Sequence, residues 1–297
     1  MTNGVLPFLP VKYPAASTAL GPLLAEIKKG IFVFMEHSRQ DREVLLAALE
    51  AGKLLLENGA EIFRVEDTIY RICKHFGLTS ASAFVLSNGI FLTSGNEDEN
   101  EAQFAKVLLI PVNRTNLGRV AEVNQLSRQI ESGAYTIKQV QEELKRIQQM
   151  PEFPEKLQIV AAGFSGACFS HLFGGGLQDA LCTAGIGILL YLYLLKLGKP
   201  HFSKILCNIL GSALVTFLSI LCYRFHLGTH LESMLVGGII IMVPGVAFTN
   251  GIRDMADGDY ISGSVRMLDA ILVFLCIAMG VGFMMTLYNT VTGGMLL

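Results

Sequence analysis

Only 12 of the 48 Lys, Arg, Asp and Glu side chains lie beyond residue 156, although that stretch makes up 141 of the 297 residues. So few charges cannot clothe a water-soluble domain of that size, whose surface is made largely of charged and polar groups. Lipid is the expected solvent for residues 157–297, and the 36 charges crowded into residues 1–156 mark a second, water-facing material. The boundary falls at Pro151 to Pro154. A net charge of −2 offers no basic footprint, so nucleic acid is not an expected partner.

A membrane-spanning helix needs about 20 mainly apolar residues. Five such segments are predicted, at Leu157–Phe173, Gln178–Leu195, Ile205–Tyr223, Met234–Phe248 and Leu268–Leu287. Alternate loops then hold Lys196, Lys199, Lys204, Arg253 and Arg266 on one side and Arg224 alone on the other. Basic residues concentrate in cytoplasmic loops, so residues 41–156 are expected in the cytoplasm and the C-terminus outside.

The water-facing part reads as an α+β domain over residues 41–156. The apolar stripe Val44, Leu45, Ala48, Leu49, Gly52, Leu55 and Leu56 predicts a helix over Asp41–Asn58, and Ile62, Val65, Ile69, Ile72 and Phe76 predict a second over Ala60–Phe76. Asn88-Gly89 between two apolar runs predicts a hairpin across Ser82–Ser94, since that pair suits the positive φ of a two-residue turn. A third strand is expected at Ala105–Val112, then helices at Asn116–Glu131 and Thr136–Gln149, the latter capped by Thr136. Residues 1–40 are expected to be a flexible tail followed by an amphipathic helix at Leu20–Met35. A signal peptide is not expected, because no charge precedes Lys12 and Pro7, Pro10 and Pro14 interrupt the stretch.

Several residue groups bear on chemistry. Six Cys are scattered without a C-x-x-C pair or a nearby His at ligand spacing, so neither a metal nor a cofactor is expected. The acidic run 96–101 reads as a solvated loop. Gly163-Phe-Ser165-Gly166 has the look of an intramembrane serine protease motif, but His171 lies about 120° around the same helix, so the two cannot pair; no catalytic residue is assigned. Ala162, Gly163, Gly166 and Ala167 read instead as a close-packing face.

Asp179, after the turn Gly174-Gly175-Gly176, reads either as a carboxylate favoured by a helix N-terminus or as an ionisable group at the mouth of a pathway. Pro244-Gly245 breaks the fourth segment, which runs out through Asn250, Arg253 and Asp254; such breaks expose backbone groups to substrates, and Arg253 supplies a fork suited to a carboxylate. Arg266 and Asp269 are expected to pair with each other or with Arg253 and Asp254. Glu61, Arg64, Thr68 and Arg71 recur at helical spacing and predict one polar face on the second helix, either solvated or used for docking and substrate binding.

The run Leu55 to Thr68 containing Asn58-Gly59-Ala-Glu61-Ile-Phe-Arg64, then Asn124-Gln-Leu-Ser-Arg128, Phe173-Gly-Gly-Gly176 and Val243-Pro-Gly245-Val-Ala-Phe-Thr-Asn250-Gly-Ile-Arg253-Asp254, with Gly258-Asp259 and Ser262-Gly263, resembles the threonine/serine exporter family over about Val44 to Tyr288. The resemblance is to the large N-terminal half of that family. It implies a bacterial inner-membrane exporter of small carboxylate-bearing metabolites, threonine and serine or dicarboxylates such as succinate. It also implies the large subunit of a split form working with a smaller membrane partner, with protons as a candidate coupling ion. A membrane-bound enzyme or a sensor acting through the cytosolic domain is the alternative, though H-E-x-x-H, G-x-S-x-G and a phosphate-binding glycine loop are all missing.

Overall fold

The computed structural model describes residues 20–95, 104–110, 115–133, 135–197 and 203–293, with side chains from residue 39 onward. The expectations for a tail at 1–19, an amphipathic face on 20–38, the acidic run 96–101 and the strand end beyond 110 lie outside these described parts.

Helix α1 (Leu20–Glu57) is one continuous rod of 38 residues, not a short helix followed by a second. Neither Gly nor Pro lies between Met35 and Asp41 to stop it, and the interior Gly30 and Gly52 cost only about 1 kcal/mol each. It ends at Asn58-Gly59, where Gly59 takes φ +84° and the Asn58 side chain donates back to the Leu54 carbonyl at 2.7 Å. Helix α2 (Ile62–His75) returns along α1 and buries Ile62, Val65, Ile69 and Ile72 against it.

Strands β1 (Ala81–Leu86), β2 (Gly89–Ser94) and β3 (Phe104–Leu109) form an antiparallel sheet in the order β1-β2-β3. The hairpin stands where predicted, but its turn is Ser87-Asn88, because Leu86 pairs with Gly89. Neither Asn88 nor Gly89 has positive φ. Gly89 is needed for closeness instead: a Cβ there would lie 3.0 Å from the Leu108 carbonyl oxygen. Alternation points Ala83, Val85, Ile90 and Leu92 into the core and Phe84, Phe91 and Val107 outward. The open edge of β1 is covered by α2, since the Val85 N–H donates to Glu66 at 3.2 Å and the Ala83 N–H to the Tyr70 hydroxyl at 3.3 Å.

Helices α3 (Leu117–Glu131) and α4 (Ile137–Gln148) close the core with Ile130, Leu144 and Ile147. The Asn116 side chain caps α3 by accepting from the Arg119 N–H, and at the start of α4 Gln139 accepts from the Thr136 N–H at 2.8 Å.

The apolar half comprises α5 (Glu155–Leu172), α6 (Leu177–Leu197), α7 (Lys204–Arg224), α8 (Leu231–Ile239), a 3-10 turn at Ile240–Met242, α9 (Gly245–Ala256) and α10 (Tyr260–Thr292). Helices α6, α7 and α10 are long and apolar enough to cross a membrane, and α8 with α9 is a fourth candidate bent by 65° at Val243-Pro244. Helix α5 is not among them, because Glu155, Lys156 and Gln158 shorten its apolar run below the about 20 residues a span takes. It packs against α6 and α8 all the same. The chain is thus a mostly helical, multi-pass membrane protein with a small sheet.

These helices meet through small residues. A Cβ on Gly166 would come within 3.0 Å of the Thr183 carbonyl oxygen, and one on Gly187 within 2.8 Å of that of Ala162, so α5 and α6 touch backbone to backbone. Helix α10 approaches α7 in the same way at Gly280, beside Ile209 and Ser212. Opposite faces carry bare apolar groups such as Val160, Phe164, Leu181, Met279 and Phe283, each exposed, as lipid contact requires.

Candidate functional site

The break in the fourth segment re-aims its last twelve residues. Pro244 has no N–H to donate, and α9 restarts when Phe248 N–H bonds the Pro244 carbonyl at 2.9 Å. After α9 the chain reverses through Gly258, at φ +98°, and enters α10. The two helices pack at backbone distance, since a Cβ on Gly263 would lie 2.8 Å from the Gly251 carbonyl oxygen.

That hairpin presents Asn250, Arg253, Asp254 and Arg266 to the turn between α1 and α2. The Asn250 amide donates to the Gly59 carbonyl at 2.9 Å, and Arg266 donates to the Ala60 carbonyl at 2.9 Å. Asp254 accepts from the Ile62 N–H at 3.2 Å, placing a carboxylate at the positive end of α2. Glu61, the N-cap residue of α2, pairs with both Arg253 and Arg64. Four consecutive residues, 59 to 62, are therefore each held by a different side chain from α9 or α10.

Behind them lies an ion pair between Arg266 and Asp254, 2.9 Å apart, with 13% and 0% of their side chains exposed. Asp254 Oδ2 and Arg266 Nη1 face each other without hydrogen-bond alignment, so this pair is Coulombic more than directional. Of the two expected arrangements, Arg266 with Asp254 forms and Arg266 with Asp269 does not. Asp269 pairs with Lys204 at 2.7 Å on an exposed surface, because α10 begins eight residues before the predicted span and carries Arg266 inward toward α9.

The predicted polar face of α2 is only partly right. Arg71 bridges Asp67 and Glu131 at 2.7 and 2.9 Å, and Arg64 is exposed and reaches Glu61. Thr68, 1% exposed, is core, and Glu61, 7% exposed, lies under α9. Helix α2 is enclosed by α1, α3 and β1, which leaves it a narrower wet face than spacing alone suggests. Glu66, which spacing did not single out, sits between β1 and the turn after α9. Burial pushes its carboxyl above the usual range, the Val85 N–H draws it back, and the Asp259 charge raises it again.

Asp179 lies in a separate cluster. Its carboxylate is fully buried and accepts from the N–H groups of Gly176, Thr229 and His230 at 2.8, 2.6 and 3.0 Å, and from the Thr229 hydroxyl at 3.0 Å. His230 Nδ1 stands 2.8 Å away. Thr229 and His230 escaped the sequence reading; their only local signal is that they open the apolar run of α8. Connectivity puts this clasp at one end of the helices and the Lys204–Asp269 pair, with the Glu61 junction, at the other.

Among the described residues no three His, Cys, Asp or Glu side chains gather as a metal site. Cys73 is buried and its thiol is pushed up to about 12 by desolvation, which makes it unreactive. His171 bonds the Gly175 carbonyl at 2.9 Å and takes no part with Ser165.

The family described as "Putative threonine/serine exporter" matches residues 47–288. The chain is 26% identical over 253 residues to the "Probable succinate transporter subunit YjjP" of Klebsiella aerogenes, covering 84% of this chain and 96% of that one. The protein of the same name from Escherichia coli is 24% identical, with 85% and 97% covered. The "Threonine/serine exporter" of Corynebacterium glutamicum is 24% identical over 257 residues, 83% of this chain but 51% of its own length. No solved structure matches. With residues 47–288 matched, this chain belongs to the threonine/serine exporter family, and the relatives above carry the names of a transporter subunit and an exporter.

Proposed function

We propose that this chain is the large subunit of a bacterial inner-membrane exporter of small carboxylate-bearing metabolites, threonine and serine or dicarboxylates such as succinate. In this reading residues 41–156 form a cytosolic domain. Helices α5, α6, α7, the bent pair α8 and α9, and α10 make five passes, and the C-terminus faces out. A smaller membrane subunit completes the pathway. The subunit naming of relatives of similar length supports this, as does the match to only 51% of the Corynebacterium exporter.

The observation that carries the reading is the grip of the broken segment on the α1–α2 turn. Asn250, Arg253 and Asp254 leave α9 within about one helical turn, and each holds the turn between α1 and α2. A helix free to re-bend at Pro244 would make and break those contacts, which is what an inner gate does. Arg253, with 56% of its side chain exposed, is the group that meets the substrate carboxylate. Asp179 and its partners form the outer seal, and the Lys204–Asp269 and Arg266–Asp254 pairs brace the gate. Glu61, Arg64, Thr68 and Arg71 belong to the helix the gate holds. Protons are the candidate coupling ion.

Counterflow of labelled threonine and labelled succinate in vesicles, with and without the co-encoded small subunit, tests this. Flux of either is expected only with both subunits, and Arg253→Ala should abolish it while the chain remains inserted. Undiminished flux in that variant would overturn the assignment of Arg253, and an absence of flux for both compounds would overturn the transporter reading.

A further inference from the structure

Two guanidiniums share one carboxylate at the junction. Arg64 and Arg253 both reach Glu61, while the neighbouring Arg266 and Asp254 neutralise each other. Glu61 is nearly buried, at 9% side-chain exposure, whereas Arg64 and Arg253 keep 44% and 56% open to solvent. Two guanidiniums thus divide a single carboxylate, and the open face belongs to the cations.

We propose that Glu61 is a resident carboxylate occupying Arg253 in place of the transported one, and that substrate loading is an exchange of carboxylates on that guanidinium. The incoming carboxylate takes Arg253 from its solvent side. Glu61 then falls back on Arg64, three residues along its own helix, so each guanidinium ends with one partner and no buried charge is left alone. The exchange also undoes one of the three tethers between α9 and residues 59–62. Loading therefore loosens the gate by the contact it replaces, and an empty site holds the gate shut. This rests on the reading of Arg253 as the substrate's carboxylate site.

Variants of opposite sign test it, using the full chain with its small subunit in vesicles and labelled threonine or succinate, whichever the parent carries. Glu61→Gln removes the competitor and should lower the half-saturating concentration at least about fivefold. Arg64→Gln leaves displaced Glu61 without a partner and should raise it by a similar factor. Hydrogen exchange over residues 58–65 should quicken in the parent at saturating substrate, and should already be fast in Glu61→Gln without it. A Glu61→Gln variant whose affinity is unchanged or weaker overturns the exchange, as does substrate that slows exchange at 58–65 in the parent. If Glu61→Gln fails to insert, the Arg64→Gln shift and the parent exchange data decide alone. Loss of uptake in Arg253→Ala together with no tightening in Glu61→Gln sinks only this inference; retained uptake in Arg253→Ala, or no uptake by the parent, sinks the functional reading as well.

Discussion

Replacing Arg266 with Met keeps most of the aliphatic stem but strips Asp254 of its counter-charge inside a site where its side chain has no exposure. The lost partner also ends the bond to the Ala60 carbonyl, which is held at 2.9 Å. Removing one member of a buried ion pair costs about 3–5 kcal/mol, because the survivor stays desolvated. For a chain of this size each kcal/mol lowers the midpoint by about 2–4 °C, so a fall of roughly 6–20 °C is expected. Adding Asp254→Asn removes the stranded charge and should restore at least about half of the loss. Far-ultraviolet circular dichroism of the full chain in detergent, scanned at one rate for all variants, reads this out; tryptophan fluorescence cannot, since the chain has none. A midpoint for Arg266→Met within about 2 °C of the parent, or a double variant less stable than the single one, would refute the claim that this pair is buried and coupled.

Three further outcomes follow from other sites. Asp179→Asn puts an NH2 donor where an acceptor-only carboxylate meets the N–H groups of Gly176, Thr229 and His230, and should cost about 2–4 kcal/mol while speeding hydrogen exchange across residues 225–231; unchanged exchange there would count against the clasp. Glu66 has a folded-state pKa above its unfolded one, so its contribution is fully present below about pH 4.3 and is lost as pH rises through the folded value. Glu66→Gln should flatten that part of the stability curve, and superimposable curves would contradict it. In the folded chain at pH 8, a small maleimide should leave Cys73 untouched until denaturant is added, read by peptide mass spectrometry; labelling without denaturant would mean the core around Cys73 is open.

Local pattern reveals much of this fold and little of its site. The stripe from Val44 to Leu56 and the stop at Gly59 mark where α1 ends, and the hairpin registers as two apolar runs whatever residues form its turn. Pattern fails where a residue's neighbours come from far along the chain. Thr68 has helical spacing suited to a wet face, yet α2 is enclosed on that side. Arg266 and Asp269, three apart, are natural partners until α9 and Lys204 are brought alongside. Asp179 shows in sequence as a helix-start carboxylate, but the donors that saturate it lie 50 and 51 residues on. Periodicity records which side of a helix is apolar; it carries no record of which other helix arrives there.

The Asp179 clasp has a mechanical consequence. It ties the α5–α6 turn to the start of α8 through one buried carboxylate with four donors and the His230 ring around it, so neither strap can slip without stranding several of them. At the far end of the same helices the attachments are single contacts, each to a different residue of one turn. A body pinned firmly at one end and lightly at the other swings about the pinned end. The clasp is then a fulcrum, with Pro244 the joint in the arm, and a small yielding at the fulcrum would appear as a large sweep where α9 meets Glu61.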